Sequence, residues 1–155
     1  MPSILYVGED AGLVATRKLL LERAGNKVFS ATNELEVIAA CDRQIDVAIL
    51  GEVPSLVVKK GLANLIRSRC PAVKVLELYA SYQGKSLDDA DAFLQTPVEP
   101  QILADCAGSL ARQATVQRAQ KIRGEAAAMR KRSAEIRQVI TAAQERLYDS
   151  RRRKS

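Results

Sequence analysis

Apolar and polar positions over the first hundred residues switch repeatedly between two periods. "SILYV" (3–7) is a short apolar run ending at Gly8 and predicts a buried strand. "AGLVATRKLLLERAG" (11–25) spaces Leu13, Arg17, Leu20, Leu21 and Ala24 as a helix does, with Gly25 as its stop. "KVFSA" (27–31) predicts a second strand, and "NELEVIAACD" (33–42) a helix with Asn33 as its N-cap. "VAIL" (47–50) is apolar throughout, as a parallel strand covered on both faces tends to be.

The alternation continues with a helix over 55–69, closed by Cys70–Pro71, and a fourth strand over "VKVLEL" (73–78). "YASYQGKSLDDADA" (79–92) is polar, with room for one or two helical turns. "AFLQ" (92–95) predicts a fifth strand, and a helix opens near residue 99 with Pro100 in its first turn. Strands alternating with helices across short loops define an α/β class, a doubly wound parallel sheet. Right-handed crossovers make a flavodoxin-like (βα)5 arrangement, order 2-1-3-4-5, the economical topology.

From Thr115 the period changes again. Thr115, Ala119, Ile122, Ala126, Met129, Ser133, Ile136, Ile140, Ala143 and Leu147 follow 4-3 spacing, which predicts a coiled-coil helix continuing the last helix of the globule. About fifty residues would make a rod about 75 Å long, which needs a partner helix. Ile122, Met129, Ile136, Ile140 and Leu147 are the large residues of that face, and a second copy is the simplest supplier. Gly124 interrupts the run, so a hairpin fold-back there is an alternative to parallel or antiparallel pairing. The expected organisation is a globule over 1–113, a basic amphipathic helix over 114–149 and a disordered basic end over 150–155.

Charge follows the same division. Residues 1–108 hold 11 Lys and Arg against 14 Asp and Glu, whereas residues 109–155 hold 13 against 4. Arg130, Lys131, Arg132 and Arg151, Arg152, Arg153 form basic runs that could meet nucleic-acid phosphates, or simply keep a helix face solvated. With no Trp and two Phe, base stacking is not the expected mode. The chain has no histidine, which removes the commonest general base and metal ligand. Cys41, Cys70 and Cys106 lie far apart and suit reduced thiols in a cytoplasm. No signal peptide or membrane span is expected.

Four segments in order then resemble the receiver domain of bacterial response regulators: "ILYVGED", "DVAILGEVP", "IRSRCPAVKVLELYA" and "FLQTPVEPQIL". The resemblance covers residues 3–113. It implies a pocket in which an acidic pair after the first strand and an aspartate after the third hold Mg²⁺. The aspartate accepts a phosphoryl group, and a hydroxyl after strand four and a lysine after strand five contact it. The acidic pair maps to Gly8–Glu9 with Asp10 following, the acceptor to Gly51, the hydroxyl to Tyr79, and the lysine to Thr96, before Pro97. If Pro54 is taken as the family's loop proline, Leu50 falls at the acceptor position instead; neither register places a carboxylate there.

The resemblance therefore implies a degenerate pocket and a pseudo-receiver rather than an enzyme, with no cofactor and no Mg²⁺ expected. Glu52 is either a solvated turn residue or a fixed charge imitating a modified aspartate, and Glu9 and Asp10 are expected to cap the first helix. A phosphate cradle at Gly8–Gly12 is disfavoured because two carboxylates face the anion. Only 17 positions separate Tyr79 from Thr96, so the family's fourth helix is expected short or absent. The leading expectation is a two-component signalling protein that works by docking a protein partner and by dimerising through its C-terminal helix. The alternatives are a non-specific nucleic-acid binder using that helix, and a phosphorelay receiver with a substitute acceptor.

Overall fold

The computed structural model describes residues 1–53 and 55–154, and the reading of Pro54 as a loop marker lies outside them. Five parallel strands, β1 (Ser3–Val7), β2 (Lys27–Ala31), β3 (Val47–Leu50), β4 (Lys74–Ala80) and β5 (Ala92–Thr96), form one sheet in the order 2-1-3-4-5. The helices are α1 (Ala11–Arg23), α2 (Glu34–Cys41), α3 (Leu56–Arg69) and α4 (Pro100–Lys154). The flavodoxin-like topology is as the periodicity predicts.

Local chemistry sets the helix ends. Asp10 Oδ1 accepts the amides of Gly12 (2.9 Å) and Leu13 (3.1 Å), and Asn33 Oδ1 accepts the Glu36 amide at 2.9 Å. Glu36 reaches back to the Thr32 amide, a reciprocal arrangement that fixes the entry into α2. Past α1 the chain turns at Gly25 with φ +95°, a conformation that costs glycine nothing.

Each strand splits its side chains between two layers. Leu5, Val7, Ala48, Leu50 and Val75 join the core under α2 and α3. Ile4, Tyr6, Val47, Ile49, Leu76 and Leu78 join the core that α1 and the first turns of α4 cover. Completely excluding a Leu or Ile side chain from water contributes about 1.5–3 kcal/mol, and these strand residues are almost fully buried.

No helix lies between β4 and β5, in keeping with the expectation of a fourth helix short or absent; residues 81–91 cross in turns and loop. Two other readings are corrected. Residues 150–154 are helical rather than disordered, as the last turns of α4, where Arg151, Arg152, Arg153 and Lys154 sit at the favourable, negative end of the helix dipole. α4 also runs through Gly124 without a break, so the chain does not fold back there; an exposed helix interior tolerates one glycine for about 1 kcal/mol. The chain divides into two compact units, Met1–Gln117 and a second beginning at Arg118, four residues beyond the expected boundary.

Candidate functional site

The carboxyl edge of the sheet brings together Gly8, Glu9 and Asp10 after β1, Gly51 and Glu52 after β3, Tyr79 at the end of β4, and Thr96 and Pro97 at the end of β5. The residue that organises this edge is Tyr6, which the sequence reading did not single out. Its ring is buried at 1% exposure. A Cβ added to Gly51 would stand 2.8 Å from the Tyr6 hydroxyl and 2.9 Å from the Val7 carbonyl, closer than real Cβ atoms come. The Gly51 amide donates to that same carbonyl at 2.7 Å, so the backbone is drawn tightly onto β1. A phenol thus occupies the space a side chain at position 51 would need. Leu50, the other register for the acceptor, is buried in the α2–α3 core.

Arg17 on α1 donates to the Tyr6 hydroxyl and stands 5.7 Å from the ring centroid. Burial pushes the Tyr6 phenol above its ordinary value; Arg17 opposes that rise and the charge of Glu52 adds to it. Tyr6 is therefore a neutral phenol at neutral pH, packed against the backbone at Gly51.

The other mapped positions are engaged in structural bonds. The Thr96 hydroxyl donates to Glu52 Oε1 and lies 3.3 Å from the Tyr79 carbonyl. Tyr79 therefore contributes its backbone here, and Thr96, at 9% exposure, ties β5 to the turn after β3. Glu52 is a hydrogen-bond acceptor for that hydroxyl, not a solvated turn residue. The Thr96–Pro97 peptide bond is cis.

A hard divalent cation takes several oxygen ligands at once. Among the described residues no three His, Cys, Asp or Glu side chains come together as a ligand set. Asp10 spends an oxygen on α1 and Glu52 one on Thr96. The residues at this edge do not fit Mg²⁺. Two shallow clefts flank Gly8 and Glu9: one of about 360 Å³ walled by Tyr6, Asp10, Glu52 and Tyr82, and one of about 340 Å³ walled by Thr32, Val58, Leu62 and Leu65.

A second polar arrangement was missed from the sequence. Glu77, fully buried in β4, accepts Lys59 Nζ at 3.3 Å, the Ser86 hydroxyl, the Ser86 amide at 2.7 Å and the Leu87 amide at 2.8 Å. Lys59, 5% exposed on α3, also donates to the Leu78 carbonyl at 2.8 Å. Burial pushes the Glu77 carboxyl up, but the Ser86 and Leu87 donors and Lys59 outweigh it and hold it below its ordinary value. This carboxylate ties residues 86 and 87 to β4, with Leu87 seated in the core. A signal existed: strand alternation puts position 77 on the same inward face as Val75, where an acid needs a partner.

The seam of the C-terminal helix is apolar and exposed. Ile122, Met129, Ile136, Ile140 and Leu147 are each more than half accessible. Arg130, Lys131, Arg132, Arg151, Arg152 and Arg153 are exposed on the same helix. Cys41 and Cys70 are buried thiols and Cys106 is half-buried; none is in a disulfide. Among the described residues no helix is long and apolar enough to cross a membrane.

The sheet order, the helices on both faces and the loop cluster at the carboxyl edge define a flavodoxin-like α/β fold. No family model matches the chain, and no curated protein matches it by sequence. Solved structures do. A CheY-like response regulator receiver domain protein from Methanospirillum hungatei JF-1 superposes with a TM-score of 0.65 at 23% identity, covering 76% of this chain and 98% of that one. A response regulator receiver domain protein from Clostridium thermocellum gives 0.63 at 21%, covering 76% and 99%. A response regulator from Thermotoga maritima gives 0.60 at 22%, covering 72% and 98%. At such identities the likeness establishes the shared fold.

Proposed function

We propose that the chain is a non-catalytic pseudo-receiver of two-component signal transduction. It acts in the cytoplasm by phosphorylation-independent binding of a protein partner, with two copies joined through the C-terminal helix. One observation carries the reading: Tyr6 fills the space beside Gly51, so position 51 has neither a carboxylate nor room for one. Aspartyl phosphorylation needs a nucleophilic carboxylate oxygen at that edge, and the receiver fold is what makes its absence informative. The exposed apolar seam supplies the second half of the reading.

Incubation of the full chain with acetyl phosphate and Mg²⁺, followed by intact-mass measurement, is expected to show no added phosphoryl group. An acid-stable or acid-labile adduct at any residue would overturn the non-catalytic reading and favour a substitute acceptor. Light scattering is expected to give the mass of two chains.

A second reading follows from charge. From Arg118 onward the helix carries 12 Lys and Arg against 4 Asp and Glu, ending in four successive basic residues. Such a helix would bind DNA or RNA through phosphates, without sequence preference and with steep salt dependence. A blank mobility-shift assay at low salt discards this reading.

A further inference from the structure

Over residues 119–136 the seam sorts its residues by size in a way that chooses an orientation for that segment. Read as heptads from Ala119 to Ile136, the a positions are Ala119, Ala126 and Ser133, all small, and the d positions are Ile122, Met129 and Ile136, all large; beyond them the order reverses, with Ile140 and Leu147 at a and Ala143 at d. The three large side chains are 65%, 67% and 58% exposed, so within this chain nothing covers them. In a parallel in-register pair, a meets a and d meets d. Small would then face small across three layers and large would face large across three, alternating voids with crowding.

Reversing one helix pairs a with d. Aligning Ala126 of one copy with Met129 of the other sets the remaining layers without further choice: Ala119 meets Ile136 and Ser133 meets Ile122. Twofold symmetry repeats each pair. All six successive layers then match one small residue with one large residue, and the helix axes can stay equally close along the whole segment.

The flanking charges agree. In the parallel arrangement Arg118 faces Arg123 and Arg132 faces Arg137, against a single attractive pair, Glu125 with Arg130. In the antiparallel register Glu125 faces Arg132 and only Arg123 with Arg130 is repulsive. Like pairs fall from two kinds to one while the attractive kind is kept. Gly124 falls at an f position, on the outward side of the seam, where its missing side chain costs the packing nothing.

We infer that the partner of this helix is a second copy of the same chain, bound antiparallel with Ala126 opposite Met129. The inference rests on the dimer reading above and fixes its geometry. The test uses the full chain with Cys106→Ser and Ser150→Cys, the buried Cys41 and Cys70 being left in place, and a spin label on residue 150. Light scattering is read first, then the label-to-label distance by double electron–electron resonance.

A two-chain mass with labels about 67 Å apart along the axis, at 1.5 Å per residue, is the expected result. A two-chain mass with labels within about 20 Å overturns the antiparallel register and leaves dimerisation standing. A single-chain mass overturns both. A second variant gives an independent reading: Ala126→Leu overpacks the antiparallel layer against Met129 and is expected to weaken association about tenfold or more. In a parallel pair the same change fills a void, so tighter association would overturn the proposal.

Discussion

The hydroxyl of Tyr6 stands where the side chain of residue 51 would begin, 2.8 Å from the Cβ that Gly51 lacks. The two residues exclude each other. Restoring an acceptor by the single change Gly51→Asp is therefore expected to fail: acetyl phosphate with Mg²⁺ should add no phosphoryl group, as read by intact mass.

The same relationship predicts a coupling. Gly51→Ala is expected to cost about 1–3 kcal/mol through overpacking. In a Tyr6→Leu background the added methyl meets only the Val7 carbonyl, so its cost should shrink. A double-mutant cycle by urea unfolding checks this, and simple additivity would show that Tyr6 does not dictate the glycine.

Acid should act through Glu77. Its folded carboxyl lies below the ordinary value of 4.5, so as pH falls past that value the unfolded chain takes up a proton first. Stability from this group is thus present above pH 4.5 and lost as pH drops through the folded value. Glu77→Gln is expected to cost about 3–5 kcal/mol at neutral pH, because Lys59 is left buried without its counter-charge. It should also flatten the acid limb of a stability–pH profile. Adding Lys59→Met should recover part of the loss, the remainder belonging to the Ser86 and Leu87 donors.

Alkali should act through Tyr6. Its folded value is raised above 10.0, so its contribution to stability is complete below pH 10.0 and disappears as pH rises through the folded value. Arg17→Met removes the group that opposes the rise, and is expected to move the Tyr6 titration further upward. The ring Cζ chemical shift followed against pH reads this directly.

Met129→Glu in the full chain should put two charges into the central layers of the paired helices and give a single-chain mass by light scattering at concentrations where the parent is dimeric. Removing a buried Met side chain at each of two symmetric sites costs about 1.5–3 kcal/mol apiece, which weakens association at least about a hundredfold. Far-ultraviolet circular dichroism should show the receiver-like unit still folded.

Much of the architecture was readable from residue order. Apolar runs such as "VAIL" and "KVFSA" gave strands at their observed bounds, and Asn33 and Asp10 announced helix starts, because these signals are local. That neither Leu50 nor Gly51 offers a carboxylate was readable too, since side-chain identity needs no coordinates. The crowding around Gly51 was not: Tyr6 lies on β1 and Gly51 just past β3, and they meet only once β1 pairs with β3. Lys59 and Glu77 escaped for the same reason, each looking like an ordinary charge until α3 settles on β4. The last turns of α4 were misread because a basic run resembles a solvated end, although the same charges complement a helix C-terminus.

The crossing from β4 to β5 is latched from inside. Any excursion of residues 86 and 87 would strip two amides and a hydroxyl from a carboxylate that water cannot reach. Such a latch ties the crossing to the protonation state of one oxygen pair, so acid is the condition expected to loosen it.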